Sequence, residues 1–313
     1  MGRKIISFIQ EITESLYWIQ GENNATFPYC HTYLYNDDVL IIFDPNCGKN
    51  RLKKGLAQLG KTLSDIDFVI NSHFHIDHIG TNYLIKKKSA AKFLIHEADR
   101  IAVENFDAYV ARYGMDRQLE PQWRATLKML GYKEMTPDQT FNEDELLPGN
   151  FQVVHTPGHS PGHSCFLKSQ ILLSGDIDLT SPWVGNLSSN VADYLNSLKK
   201  LKKLKLNMIL PSHGVPIFDN IPHALDKFYQ RFLDREEKIY NLLPNHPVTL
   251  DELTKRLFRS YSKNQQKQLE RRQAFFTFHF GKISCLNFLQ HLELNGKVKK
   301  IILKNEEYWE KIE

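Results

Sequence analysis

No apolar run in the 313 residues approaches the roughly 18 that a membrane-spanning helix needs, and the mean hydropathy is −0.42. No membrane span is therefore expected. Cysteine is scarce: Cys30, Cys47, Cys165 and Cys285 lie far apart and form no CxxC pair, which argues against a disulfide framework and against a thiolate zinc cage. They are expected to be buried free thiols. A secretory leader is also missing, because the N-terminal apolar stretch of four residues is too short for an h-region, and Ser7 comes one place too late for a myristoylation signal. A cytoplasmic protein is expected. Internal repeats, low-complexity tracts and a strong charge of one sign are lacking too, since 40 Lys and Arg face 36 Asp and Glu.

What is present is the composition of an ordinary globular chain, with 42% hydrophobic and 24% charged residues, long enough for about two domains of about 150 residues each. The small basic excess is unevenly spread. Residues 1–221 hold 23 basic against 24 acidic side chains, whereas 222–313 hold 17 against 12. The pattern changes at the same place. Up to about residue 217, short apolar runs such as Leu16–Gln20, Thr32–Tyr35, Val39–Phe43, Phe68–Asn71, Gln152–His155 and Met208–Leu210 predict strands. Amphipathic stretches at Arg51–Leu59, Pro121–Leu130 and Val191–Leu204 predict helices between them, which together indicate a layered α/β core. Beyond Pro216 the spacing predicts a long helix from Ile221 to about Leu243, stopped by Pro244 and Pro247. Thr249 with Glu252 three residues later reads as a capping box. Helices near Gln265–Thr277 and Ile283–Leu294 and a hairpin around Lys304-Asn305-Glu306 complete a winged-helix outline. The expected division is 1–217 catalytic, 218–243 a linker helix and 244–313 a winged-helix-like domain.

The informative motif is HxHxDH at residues 73–78, directly after an apolar strand. With 13 His and 18 Asp in the chain, chance gives such a string about 0.001 times. His73 and His75 are two residues apart, so an extended segment projects both imidazoles to one side, where they can share an ion. Asp77 and His78 fall where the chain turns into the next helix and can face a second ion. Strand-end loops supply the remaining donors: His159 in a Pro/Gly turn, Asp176 after Leu172–Gly175, and His213 after Met208–Leu210. In this order they make a seven-ligand set, with His73, His75 and His159 for one ion, Asp77, His78 and His213 for the other, and Asp176 bridging.

The ordered motifs HxHxDH, TPGH, GD and a late HG resemble the metallo-β-lactamase-fold hydrolase superfamily over roughly residues 10–217. Together with the DYLNSL helix, PSHG and the basic tail, they are similar to the lactamase-beta-like protein 2 group, which includes a single-strand endoribonuclease and related thioesterases. The resemblance implies an αβ/βα sandwich with a dinuclear site at one edge between the sheets, and it carries over onto the same seven positions. The expected activity is hydrolysis of a small-molecule ester, thioester or lactone by a hydroxide activated on two metal ions, with Asp77 orienting the water. Zinc is the expected metal, with iron or manganese as alternatives. Single-stranded RNA is the alternative substrate, held by the basic tail, and a non-catalytic nucleic-acid-binding protein ranks last. A homodimer through the tail is the other expected partnership. His155 and His163 read as satisfied neighbours of the site, Asp44 as a turn former, and Trp183 and Asn186 as candidates to touch substrate.

Overall fold

Alternation decides which side of each strand is buried, and in the central strands of this chain both sides are. In the computed structural model, which describes residues 8–261 and 274–312, the first sheet contains β1 (Ile9–Thr13), β2 (Leu16–Ile19), β3 (Thr32–Asn36), β4 (Leu40–Phe43), β5 (Phe68–Ile70), β6 (Lys92–His96) and β7 (Gln139–Phe141), in that spatial order. Pairing is antiparallel from β1 to β4 and parallel from β4 to β7. Helices α1 (Lys49–Gln58), α2 (Ile76–Ile79), α3 (Asn82–Lys86), α4 (Glu97–Glu104), α5 (Phe106–Ala111) and α6 (Glu120–Leu130) lie between these strands in sequence. The second sheet contains β8 (Leu146–Leu147), β9 (Phe151–His155), β10 (Ser164–Lys168), β11 (Ile171–Gly175) and, after α7 (Val191–Leu201), β12 (Met208–Pro211).

Strand β4 shows how the layers form. Ile41 and Phe43 point into the space between the sheets with Phe151, Phe166, Leu173 and Leu210, while Leu40 and Ile42 point the other way, onto Leu52 and Leu56 of α1. A strand covered on both faces needs an unbroken apolar run, which is what LIIF is. On α7, Val191, Tyr194, Leu195, Leu198 and Leu201 follow helical spacing and cover the outer side of the second sheet. The result is the αβ/βα sandwich expected.

The chain continues with α8 (Ile221–Leu242), β13 (Val248–Thr249), α9 (Leu250–Arg259), α10 (Ala274–Leu294), β14 (Val298–Leu303) and β15 (Glu306–Lys311). The last three strands pair in the order β13-β15-β14. Thr249 caps α9 by accepting the Glu252 N–H at 3.2 Å. Lys304 and Asn305 both have positive φ, 50° and 66°, as a two-residue hairpin turn requires. Most of the helix expected at 265–277 lies outside the described residues. Its last residues and the helix expected at 283–294 are one continuous helix, α10, which runs through Gly281, where a Cβ would lie 2.5 Å from the Phe258 ring. Helix α8 is more than a spacer: its Leu225, Phe228, Phe232 and Ile239 share one buried cluster with Tyr194 and Leu198 of α7 and with Leu253, Leu257, Phe288, Leu289 and Trp309 of the tail.

Strands β1, β7 and β10 escape the pattern reading, as do the two-residue strands β8 and β13 and the short helices α3 to α5, whereas α2 stands at the expected turn into a helix at Asp77 and His78. The four cysteines are buried and free, and burial pushes the Cys47 and Cys165 thiols up to about 12. Among the described residues no helix is long and apolar enough to cross a membrane.

Candidate metal centre

The seven residues singled out by their motifs come from four strand ends on one edge of the sandwich. After β5 the chain bends through Ser72, His73 and Phe74 to His75, whose ψ of 148° precedes α2, and Asp77 and His78 fall within that single turn. His159 sits in the loop between β9 and β10. Gly158 there has φ +128°, and a Cβ on it would lie 2.3 Å from the Tyr194 backbone nitrogen, so the loop lies against α7 only because residue 158 is glycine. Asp176 follows β11, and His213 follows β12. His73 and His78 are fully buried, and His75 and His159 nearly so.

The side chains form two clusters. His159 Nε2 lies 3.2 Å from His73 Nε2, 3.0 Å from His75 Nδ1 and 3.1 Å from Asp176 Oδ2. The other oxygen, Asp176 Oδ1, lies 2.9 Å from His78 Nε2 and 3.4 Å from His213 Nε2, while Asp77 Oδ2 is 3.3 Å from His213 Nε2. In each cluster the donor atoms lie within 4.8 Å of one another, close enough to hold one ion apiece.

The outward-facing ring nitrogens explain this orientation. His159 Nδ1 faces the Trp183 carbonyl at 3.3 Å, and His213 Nδ1 faces the Ala25 carbonyl at 2.6 Å. His78 Nδ1 lies 3.0 Å from Asp44 Oδ2. His73 Nδ1 is 3.0 Å from Ser72 Oγ, which itself donates to Asp44 Oδ2 at 2.7 Å. The outer nitrogens of His73, His159 and His213 thus each face an oxygen, and that of His78 lies beside a carboxylate, which turns the other nitrogen of each ring into the cluster. His78 Nε2 and Asp176 Oδ1, both buried, make no conventional hydrogen bond there. A divalent cation suits such a set, and the residues fit it.

Charge follows the same division. Burial holds His73 and His75 well below the ordinary histidine range, so both are neutral. For His78 and His213 burial acts in the same direction, but the carboxylates outweigh it: Asp44 and Asp176 raise His78 well above its ordinary value, and Asp176 with Asp77 raises His213 to about 9. Burial alone would raise Asp176, yet the surrounding imidazoles hold its carboxyl well below the usual range.

Residues 25–213 match the metallo-beta-lactamase superfamily domain. The chain belongs to that superfamily of metal-dependent hydrolases. It is 25% identical to the beta-lactamase-like protein 2 homolog of Caenorhabditis elegans over 266 residues, which is 80% of this chain and 78% of that protein. It is 28% identical to the hydroxyacylglutathione hydrolase GloC of Haemophilus influenzae over 185 residues, 55% of this chain and 79% of the relative. The crystal structure of a metallo-beta-lactamase family protein from Thermus thermophilus superposes with a TM-score of 0.73 at 21% identity, covering 96% of this chain and all of that one. This likeness shows that the fold extends through the tail.

Within this metallo-beta-lactamase fold, the neighbouring residues divide in ways the motifs do not announce. His163 touches the centre indirectly: its Nε2 accepts the Asp176 backbone N–H at 3.1 Å, and its Nδ1 faces Thr156 Oγ1 at 2.9 Å. His155 stacks on His96 at 4.0 Å, and its Nε2 faces the Pro161 carbonyl at 2.8 Å. Asp44 corrects its reading as a turn former. Its φ of 49° fits a turn, but its buried carboxylate pairs with His78 and accepts hydrogen bonds from Ser72 and Ser212. Asn186 likewise does not reach out to substrate, because it is fully buried with its amide 2.9 Å from His75 Nε2. Trp183 is 37% exposed, with its ring 5.3 Å from that of His75 and 5.2 Å from that of His159.

Proposed function

We propose that the chain is a two-metal hydrolase of small-molecule esters or thioesters, with zinc at both positions. The observation that carries this reading is the convergence of the imidazole nitrogens on the two oxygens of Asp176, one oxygen to each cluster. The neutral rings of His73 and His75 crowd nitrogens together, and at His78 and His213 the carboxylates favour a positive charge in the same place; a shared cation would answer both. His73, His75 and His159 would hold one ion, Asp77, His78 and His213 the other, and Asp176 both. Imidazole and carboxylate donors suit zinc, and iron or manganese is the alternative.

Bound ions would supply water acidified to near neutrality and would offset negative charge on a substrate carbonyl oxygen. The chain's own residues do the remainder. Asp77, beside His213, orients the attacking water. Asp44, with Ser72, holds the His78 and His73 rings in register, and His163 fixes the backbone that presents Asp176. Trp183 walls one side of the centre with an apolar ring, which suits the carbon skeleton of an acyl group. Residues 244–313 are proposed as a winged-helix-like domain, joined by 218–243 to the catalytic part at 1–217.

A ribonuclease reading draws on the lysines of the terminal hairpin. Two of these are already engaged: Lys299 pairs with Glu310 at 2.9 Å and Lys300 with Glu307 at 3.1 Å. That pairing lowers the charge offered to a phosphate backbone, so small esters and thioesters are preferred. The test reloads chelated protein with zinc, counts ions per chain, and assays ester, thioester and lactone panels beside labelled single-stranded RNA at two salt concentrations. Saturation at one ion per chain sinks the two-metal reading. RNA cleavage that disappears in Asp176→Ala, without turnover of any ester or thioester, puts the ribonuclease first.

A further inference from the structure

Helix α10 belongs to the tail, yet it reaches the metal centre. Asn287 on this helix is buried, and its Nδ2 donates to two carbonyls of one loop, Val184 O and Asn186 O, each at 2.9 Å. Its Oδ1 has no hydrogen-bond partner among the described residues, so the two donated bonds are what hold the amide. Two turns earlier on the same face, the Phe280 ring lies 6.0 Å from that of Trp183. The backbone between them passes so close that a Cβ on Gly185 would meet Trp183 at 3.0 Å and Phe280 at 3.3 Å.

The loop held from α10 continues directly to the ligands. Asn186 places its amide 2.9 Å from His75 Nε2 and 3.3 Å from the His159 carbonyl, and Ser188 Oγ donates to its Oδ1 at 2.7 Å. Ser189 Oγ donates to the His159 carbonyl at 2.8 Å. His75 is the one histidine of its trio that turns Nδ1 inward. A neutral imidazole ligating through Nδ1 carries its proton on Nε2, and that proton needs a fixed acceptor. The Asn186 amide oxygen would be that acceptor if the amide took the half-turn that exchanges its two ends; Ser188 Oγ would then accept from the nitrogen, and the His159 carbonyl would give up its 3.3 Å bond to Asn186 and keep the one from Ser189.

We infer that Asn287 is a positioning residue for the hydrolase: from the C-terminal helix it fixes the 183–189 loop and, through Asn186, the tautomer and orientation of His75. The inference rests on the metal reading of the centre. It gives the tail a part in hydrolysis that requires no nucleic acid. The contrasting role is structural only, in which Asn287 satisfies two buried carbonyls and contributes to stability alone.

The test uses the full-length chain. Asn287→Leu keeps the branched shape, adds some bulk and removes both donors. Zinc affinity is measured by chelator competition, the visible spectrum of the cobalt-substituted protein reports ligand geometry, and melting temperature reports folding. Leu289→Ala, a core change on the same helix, is the control that lowers the melting temperature and leaves metal affinity alone. Asn287→Leu should weaken one of the two ions about 10- to 100-fold and alter the cobalt spectrum. Combined with Asn186→Ala it should add little further loss, because both changes break one path. Asn287→Ser, a smaller change that retains one donor, should show an intermediate loss and serves if the leucine variant fails to fold. Wild-type affinity for both ions and an unchanged cobalt spectrum in a folded variant would overturn the inference while leaving the two-metal reading intact. Fully additive losses in the double variant would overturn it too. A wild-type chain that takes up no metal overturns both.

Discussion

Asp44 Oδ2 lies 3.0 Å from His78 Nδ1, while the other nitrogen of that ring meets Asp176 Oδ1 at 2.9 Å. One imidazole is thus held between a carboxylate at the end of β4 in the first sheet and one at the end of β11 in the second. Asp44 also accepts hydrogen bonds from the Ser72 N–H at 2.8 Å, from Ser72 Oγ at 2.7 Å and from Ser212 Oγ at 3.0 Å. Burial would raise its pKa, but His78 and these donors outweigh burial and hold the carboxyl below its ordinary value.

Replacing Asp44 by Asn keeps the shape and removes the charge that fixes the His78 tautomer. Zinc titration of Asp44→Asn should show the second ion bound roughly 10- to 100-fold more weakly, with the first little changed. Asp44→Ala should also lower stability by about 1–3 kcal/mol for each buried donor left without a partner. Unchanged binding of both ions in Asp44→Asn would reduce the pair to a packing contact.

Asp176→Ala and His75→Ala should each abolish hydrolysis, since each removes a donor atom from the centre. His163→Ala should reduce activity only in part, because it releases the Asp176 backbone without removing a donor. Burial pushes the His163 pKa down to about 3, which keeps Nε2 an acceptor at every working pH. Steady-state kinetics on whichever substrate the panel identifies would decide. If the order were reversed, the donor and its neighbour would have to exchange places.

Removing metal should destabilise the protein as well as silence it. Zinc at 100 times its dissociation constant should add about 2.7 kcal/mol per site, seen as a higher melting temperature than that of chelated protein. The increment should shrink in His73→Ala. Identical melts with and without zinc would contradict a centre built to hold ions.

His31, which is bonded to the backbone on either side of His213, sets a pH dependence of its own. Its Nδ1 accepts the Gly21 N–H at 3.0 Å and its Nε2 faces the Gly214 carbonyl at 2.7 Å, so the folded ring is neutral. Burial lowers its pKa from 6.5 to about 4. The unfolded chain takes up this proton below about pH 6.5 and the folded one only near 4. The stability from a neutral His31 is therefore complete above 6.5 and is lost as pH falls toward 4, by at most roughly 3 kcal/mol. Urea unfolding at pH 7 and pH 4.5 should show a smaller drop for His31→Gln than for the unaltered chain. Equal drops would mean that His31 is protonated in the folded state.

The HxHxDH stretch is legible because it follows directly on an apolar strand and because four donor side chains in six residues have no cheaper packing explanation; the two histidines meet across bends at residues 72–74 rather than along an extended segment. His159, Asp176 and His213 become legible through order and through Pro/Gly turns at strand ends. Asp44, Asn186 and Asn287 carry no such mark. Asp44 meets Ser212 across 168 positions and Asn186 meets His75 across 111, so their work depends on how the sheets close, which no local pattern encodes. Strand β10 is hidden for a related reason: Ser164–Lys168 follows directly on the histidine loop and does not alternate, and its strand character comes from pairing with β9 and β11.

During synthesis His73 is made long before Asn287. Both sheets of the sandwich and all seven candidate ligands have been translated while α10 is still incomplete, and the 183–189 loop lacks its two bonds to Asn287 until that helix arrives. On the two-metal reading, a nascent chain would carry every donor atom and settle the His75 side of the centre last. Full metal affinity there would await the end of synthesis, and a message truncated within its final helix would yield a sandwich formed around an unfinished centre.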